Sequence, residues 1–129
     1  MPTTNLLAMP LAILKVETGT NEDWIDSLKY VVDTGEDDPP QLDLRGIAFE
    51  MEVRRRPEDH EVVISASTAD GTLAIGDAPD FGFLLINIDK TVMEQQKANE
   101  YVADIVGIDV EFRRVVVQID LTIFEGITR

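Results

Sequence analysis

Apolar and polar residues alternate along the C-terminal part of the chain. The apolar positions of one parity are Val115, Val117, Ile119, Leu121 and Ile123. A period of two predicts a β-strand with one buried and one exposed face. Residues 101–108 predict a second strand, which a short connection joins to the first as an antiparallel hairpin. Because such a hairpin is not stable alone, a second sheet must cover its apolar face.

The upstream chain contains further segments with strand character. The predicted strands span residues 11–17, 24–33, 47–54, 62–67, 72–75 and 82–89. Segment 24–33 would also suit a helix, but its β-branched and aromatic content favours a strand. Turn signals separate these segments, including the loop 34–41 with its adjacent prolines and the pair Asp70-Gly71. Seven or eight strands at this spacing predict an all-β fold, an antiparallel β-sandwich with Greek-key crossings.

One passage, residues 91–98, predicts a short helix that crosses from sheet to sheet. Asp89 or Thr91 can cap its start. Glu94 follows Thr91 by three residues, as in a capping box. The sandwich is therefore expected to carry a single short helix.

Two aromatic residues are candidate structural anchors. Tyr101 follows a turn at the start of a strand, with the small residue Ala103 two positions later. This pattern resembles the tyrosine corner of immunoglobulin-like sandwiches, in which the hydroxyl bonds to backbone a few residues upstream. Trp24 is the lone tryptophan, and we favour a core position over an exposed interface position for it.

Composition narrows the possible partners. Twenty-five acidic and eleven basic residues give a net charge of −14, which repels phosphate backbones. The candidate basic patch, Arg54-Arg55-Arg56, stands among Glu50, Glu52, Glu58 and Asp59. We interpret these arginines as a solvated or salt-bridged rim and predict no nucleic-acid binding.

The sequence contains no signal for membrane insertion, secretion or thiol chemistry. No segment has the roughly 20 consecutive apolar residues of a membrane helix. The first residues lack the basic start of a signal peptide, so we predict neither secretion nor a membrane partner. The chain has no cysteine, which excludes disulfides and thiolate metal sites and favours a protein that works in a reducing compartment or is assembled in one.

Candidate catalytic groups are sparse. His60 is the only histidine, and we interpret it as solvated in a charged turn. Acidic residues cluster at Glu22-Asp23 with Asp26, at Glu36-Asp37-Asp38, and at Asp77 with Asp80. Paired carboxylates can bind Ca²⁺ or hydrolyse glycosides, but these clusters lack EF-hand spacing and are typical of hydrated loops. We therefore predict no catalytic residue, no cofactor and no metal site.

The first ten residues predict an arm ahead of one sandwich domain, residues 11–129. Its apolar side chains are Leu6, Leu7 and Met9, between two prolines. Such an arm folds onto its own domain or packs on a neighbouring molecule, and we favour the first. In the loop 34–41, the acidic Asp37 and Asp38 are further candidates for interaction with a partner.

Several motifs in order along the chain carry a family resemblance. They are the segment ending in Trp24, Leu42-Asp43-Leu44-Arg45-Gly46-Ile47-Ala48-Phe49 with Glu52-Val53-Arg54, Ser67-Thr68-Ala69-Asp70-Gly71-Thr72-Leu73, Tyr101-Val102-Ala103-Asp104-Ile105 and Gly126-Ile127-Thr128-Arg129. Together they resemble small phage and prophage structural proteins, which are similar to the immunoglobulin-like N-terminal domain of the siphophage baseplate upper protein. The likeness spans about residues 11–129.

This resemblance implies an immunoglobulin-like sandwich that acts in a virion through protein contacts. The expected function is that of a non-enzymatic tail component, of the baseplate or fibre-attachment kind, made in the bacterial cytoplasm and present in many copies. The expected partners are other tail or virion proteins and further copies of the chain. Two alternatives remain: a head, collar or neck decoration protein, and a carbohydrate-binding β-sandwich module. A hydrolase would be possible only through the paired carboxylates.

Overall fold

The computed structural model describes residues 4–127, which fold into two facing β-sheets. The strands in this range are β1 (Ala12–Gly19), β2 (Trp24–Lys29), β3 (Ala48–Arg54), β4 (Ile64–Ser67), β5 (Leu73–Ile75), β6 (Phe83–Ile88), β7 (Asn99–Ile108) and β8 (Arg113–Phe124). A single helical turn, α1 (Lys90–Met93), follows β6, and a 3₁₀ turn covers Leu6–Ala8. The predicted all-β sandwich of seven or eight strands is confirmed.

The two sheets hold five and three of the described strands. The order is β1-β8-β7-β3-β4 in the larger sheet and β2-β6-β5 in the smaller one. The chain changes sheet between β1 and β2, β2 and β3, β4 and β5, and β6 and β7, which gives the Greek-key crossings. One pairing differs from the expected antiparallel arrangement, because β1 runs parallel to β8.

The core lies between the sheets and takes its side chains from both inner faces. The largest fully buried side chains are Trp24, Phe49, Leu6, Met9, Leu44, Met51, Leu73, Leu84, Ile86, Ile88, Met93 and Ile105. Strand β6 is the central strand of its sheet, which fits its run of apolar residues. Val117, Ile119 and Leu121 are each at most 2% exposed, so the predicted inner face of β8 is confirmed there.

The prediction for β8 is wrong at Val115. The register with β7 shifts after Ile105, so that Ile105 pairs with Val117 while Val106 pairs with Val115. Val116 is the extra residue of this β-bulge, and a bulge reverses the alternation of faces along a strand. Val116 is therefore buried at 1% exposure, whereas Val115 is 36% exposed on the outside of the sheet.

Two further predictions are corrected. The helix expected over 91–98 is only α1, and Asp89, not Thr91, is its N-cap: the Asp89 carboxylate accepts the Thr91 N–H at 3.4 Å. Glu94 lies at the C-cap, so the capping box is absent. Strand β2 ends at Lys29, and beyond it Val31 forms only an isolated bridge with Gln41.

Candidate interaction surfaces

The outer face of the five-stranded sheet is the surface turned away from the smaller sheet. Strand registers place Ile13, Gln118, Asp104, Glu52 and Ser65 in one row across all five strands. Neighbouring rows add the apolar neighbours Val115 and Val106 and, opposite each other in register, the side chains of Lys15 and Asp120. The outer face therefore mixes aliphatic side chains with an excess of carboxylates.

A shallow trough of about 370 Å³ crosses this outer face. Ile13, Pro57 and Val102 contribute apolar surface, and Asp104 and Asp120 are among the carboxylates that line it. Within residues 4–127, no group of three or more His, Cys, Asp or Glu side chains has the geometry to hold a metal ion.

Strand β1 forms an open edge of the larger sheet. It pairs with β8 alone, and its outward side chains Ile13, Lys15 and Glu17 are exposed. Ile13, the apolar one of the three, is 70% exposed. The sequence predicted the strand but not its place at an edge, because that depends on its parallel pairing with the distant β8.

Tyr101 forms the corner contact that its sequence context suggested. Its ring is 5% exposed, and its hydroxyl donates to the carbonyl oxygen of Lys97 at 2.6 Å. The guanidinium of Arg55 lies 5.5 Å from the ring centroid, and its Nε donates to the carbonyl oxygen of Glu100 at 3.1 Å. Tyr101 thus fixes the turn between α1 and β7.

Trp24 lies in the core, as favoured from the sequence, and not at an interface. It is 2% exposed, and its indole N–H donates to the carboxylate of Asp26 at 2.7 Å. A second aromatic residue, Tyr30, directly follows β2 and is 4% exposed. Burial raises the pKa of its hydroxyl to about 12.

The N-terminal arm folds onto its own sandwich through two of its three apolar residues. Leu6 and Met9 are buried at 0% and 1% exposure, whereas Leu7 is 57% exposed. Gly107 makes room for the arm, because a Cβ at this position would lie 2.5 Å from Cδ1 of Leu6. Asn5 Nδ2 anchors the arm further by donating to the carbonyl oxygen of Asp43 at 2.8 Å. Residues 1–3 lie outside the described residues.

The loop 34–41 projects between β2 and β3. Asp37 and Asp38 are exposed there. The base of the loop is closed by the N–H of Val32, which donates to the carbonyl oxygen of Pro40 at 2.8 Å. The two carboxylates are thus exposed to solvent, and their contact with a partner stays a prediction.

The carboxylates of the first acidic cluster, Glu22, Asp23 and Asp26, serve local structure. Glu22 accepts the N–H of Gly19 at 2.7 Å, and Asp23 accepts the N–H of Lys90 at 2.7 Å. Asp26, the third member of that cluster, binds the tryptophan described above. Each of these three carboxylates thus has its own separate partner.

Several turn carboxylates have lowered pKa values. Hydrogen bonds from the Arg45 side chain hold the pKa of Asp43 below its usual value, and the Thr72 hydroxyl does the same for Asp70. The Thr4 hydroxyl, which donates to Asp109 at 2.5 Å, likewise lowers the pKa of Asp109. These groups stabilise turns at the surface of the sandwich.

The arginine cluster forms the rim that the sequence predicted. Arg54 pairs with Glu52 at 3.1 Å, which fits the salt-bridged interpretation, and Arg56 is exposed. His60 is also exposed in the loop that follows. No helix in residues 4–127 has the length and apolar character needed to cross a membrane.

Strand order and the tyrosine corner together define the class of protein. In the lettering of immunoglobulin domains, β2, β6 and β5 correspond to strands B, E and D, while β8, β7 and β3 correspond to G, F and C. Tyr101 opens the strand equivalent to F, where the corner belongs. The chain is an immunoglobulin-like β-sandwich.

Comparison with known proteins adds no family to this class. No protein-family model matches the chain, and no curated protein matches it.

Proposed function

We propose that the chain is a non-enzymatic structural component of a phage or prophage tail, of the baseplate or fibre-attachment kind. It acts through contacts with other tail proteins and with further copies of itself. The observation that carries the proposal is that large apolar side chains lie outside a sandwich whose core is already filled. Contiguous exposed apolar surface commonly marks protein–protein contact.

Part of the exposed apolar surface lies on the outer face of the larger sheet and at its edge. Ile13 is 70% exposed on β1, and Val115 is paired with Val106 across β8 and β7 on the same outer face. Phe124 is 48% exposed near the end of β8. A module that assembles into a particle needs surfaces of this kind, because hydrophobic burial drives most protein association.

The assignment to a tail is supported by the sequence resemblance. Motif residues that carry it occupy defined turns: Asp43 and Arg45 form an ion pair at 2.6 Å beside Gly46, whose φ is +87°. Gly71, in a second motif, has a φ of +83°, which favours glycine. Of the closing motif, Thr128 and Arg129 lie outside the described residues.

Mass spectrometry of purified phage or prophage particles from the source tests the proposal. We expect peptides of this chain to co-purify with tail proteins at a constant ratio through successive density gradients. An abundant protein of the host cytoplasm, followed through the same gradients, is the control and should be depleted. Expression of the chain in lysing cells without its presence in the particles would overturn the proposal.

A further inference from the structure

We propose that the open edge of β1 pairs antiparallel with β1 of a second copy, which joins the two larger sheets into one continuous sheet. This inference rests on the proposed function, because it names the surface and the partner through which the module assembles. Three features of β1 match in a single two-fold register: its free backbone groups, its outward charges and its outward apolar side chains.

Alternate residues of β1 direct their backbone N–H and C=O groups away from β8, toward the open edge. The N–H of Thr20 donates to the carbonyl oxygen of Phe124 on β8 at 3.0 Å, whereas the N–H of Gly19 turns away, to the Glu22 carboxylate at 2.7 Å. Since backbone direction alternates along a strand, Ile13, Lys15 and Glu17 direct their N–H and C=O groups to the open edge. The parallel ladder with β8 therefore leaves these groups unused, so they can pair with an added strand.

The outward charges are self-complementary. A two-fold axis at Val16 places Lys15 of one copy opposite Glu17 of the other. By symmetry, Glu17 of the first copy faces Lys15 of the second, so two such pairs form. Both residues are exposed, and within residues 4–127 neither forms an ion pair. Opposite charges across an antiparallel pair stabilise it, and like charges destabilise it. Because both residues direct their backbone groups to the edge, each such pair also exchanges two backbone hydrogen bonds.

The same register covers exposed apolar surface at both ends of the pair. It places Ile13 of one copy opposite Gly19 of the other. The ring of Phe124 leans over Gly19, since a Cβ added to that glycine would lie 2.9 Å from Cε2 of Phe124. Ile13, 70% exposed, would therefore pack on the exposed Phe124 ring of the second copy. Shifting the axis to Lys15 would instead place the two lysines opposite each other.

Variants that reverse the charges of Lys15 and Glu17 test the proposed register directly. Sedimentation of the full chain from low to high micromolar concentration should show a monomer–dimer equilibrium. Lys15→Glu and Glu17→Lys should each weaken the dimer on the order of tenfold or more, because each variant puts like charges opposite at two places. The double variant K15E/E17K restores opposite charges and should return the dissociation constant to that of the wild type.

Matched variants and a second measurement guard against indirect effects. Lys29→Glu and Ile25→Ser alter exposed residues of β2, in the other sheet, and should leave the equilibrium unchanged, whereas Ile13→Ser should weaken it. Since Lys15→Glu also adds a carboxylate beside Asp120, the unfolding midpoint of each variant is measured in parallel. Hydrogen exchange of the Lys15 and Glu17 amides should slow as concentration rises.

Several results would overturn the inference. One is a wild type that stays monomeric at every concentration. Another is a double variant whose dimer is no tighter than those of the single variants. A third is hydrogen exchange of the Lys15 and Glu17 amides that is as fast in the dimer as in the monomer. A strand from another particle protein that binds this edge of a monomeric chain would do the same. Detection of the chain in purified particles is independent of these results, so the proposed function and the inference can fail separately.

Discussion

Two tyrosines donate their hydroxyl protons to main-chain carbonyl oxygens, and the two bonds differ in length. Tyr101 reaches Lys97 at 2.6 Å, whereas Tyr30 reaches Val116 at 3.4 Å. The first bond ties the start of β7 to the turn that precedes it. The second links residues 86 positions apart in sequence, at the long end of hydrogen-bond geometry.

Replacing Tyr101 with phenylalanine should lower the free energy of unfolding by about 1 kcal/mol, because one neutral hydrogen bond is lost while the ring stays buried. Urea unfolding followed by fluorescence of Trp24 measures this loss. Tyr30→Phe is the matched control, with a smaller expected loss. A Tyr101→Phe variant with the midpoint of the wild type would refute the structural role of the corner.

Tyr30 should make stability depend on alkaline pH. Burial raises its pKa to about 12, above the value of about 10 in the unfolded chain, so the folded state retains the proton longer. This contribution is complete below pH about 10 and is lost as the pH rises toward 12, by at most about 1.4 kcal/mol per pH unit. The difference in unfolding free energy between wild type and Tyr30→Phe, measured across this range, should show that slope. A constant difference would contradict the expectation.

At the scale of elements, the bulge in β8 decides which valines belong to the core. Val116 and Val117 are both buried, and alternation resumes only beyond them. Two consecutive inward residues are the expected effect of one extra residue in a strand. The bulge thus leaves Val115 for the outer face, where it adds to the surface proposed for assembly.

Two isosteric substitutions can verify the bulge. Val116→Thr should lower the free energy of unfolding by about 1–3 kcal/mol, because it buries a hydroxyl. Val115→Thr, on the exposed side, should change it by less than about 0.5 kcal/mol. Denaturant titration of both variants gives the comparison, and a larger loss for Val115→Thr than for Val116→Thr would mean that the strand alternates without interruption.

The arm and β7 should be coupled energetically through Leu6 and Gly107. Gly107→Ala should destabilise by about 1–3 kcal/mol through overpacking, and Leu6→Ala by about 2–5 kcal/mol through an unfilled cavity. In the double variant the new methyl group enters the space that Leu6 vacated, so the loss should be smaller than the sum. A double-mutant cycle measures this coupling. Leu7→Ala with Gly107→Ala is the control pair, and its effects should add because Leu7 is 57% exposed.

At the scale of the whole molecule, the net charge of −14 opposes compaction. The ion pairs found in residues 4–127, such as that of Arg113 and Glu50 at 3.8 Å, lie at the surface and offset little of it. The same charge keeps copies of the chain apart until matched surfaces meet, which is compatible with the proposed assembly.

Salt should therefore stabilise the fold. Raising NaCl from about 10 mM to about 150 mM shortens the Debye length from about 30 Å to about 8 Å and screens the repulsion between carboxylates. We expect the thermal midpoint to rise over this range and then to level off. A midpoint that falls with added NaCl would show that surface ion pairs outweigh the repulsion. KCl at the same ionic strength is the control and should act equally.

The sequence by itself determined the layers and much of the local structure. Alternation with a period of two is a property of each strand, so it identified the strands and the inner face of β8 from Val117 onward, while the pair Asp70-Gly71 identified the turn at Gly71. The hydrogen bond of Tyr101 could also be predicted from the sequence, because its partner Lys97 lies only four residues away. Local sequence specifies such features because their energies depend on near neighbours in the chain.

Only the tertiary structure decided how the strands are joined and which surfaces remain open. The parallel pairing of β1 with β8 and the closeness of Leu6 to Gly107 connect residues about a hundred positions apart. The bulge at Val116 likewise follows from the fit of β8 against β7 and leaves no mark in the alternation. The open edge with Lys15 and Glu17 is a consequence of these long-range pairings. Which strand is left at an edge depends on the packing of the whole sheet, and a period-two pattern is the same at an edge as at the centre.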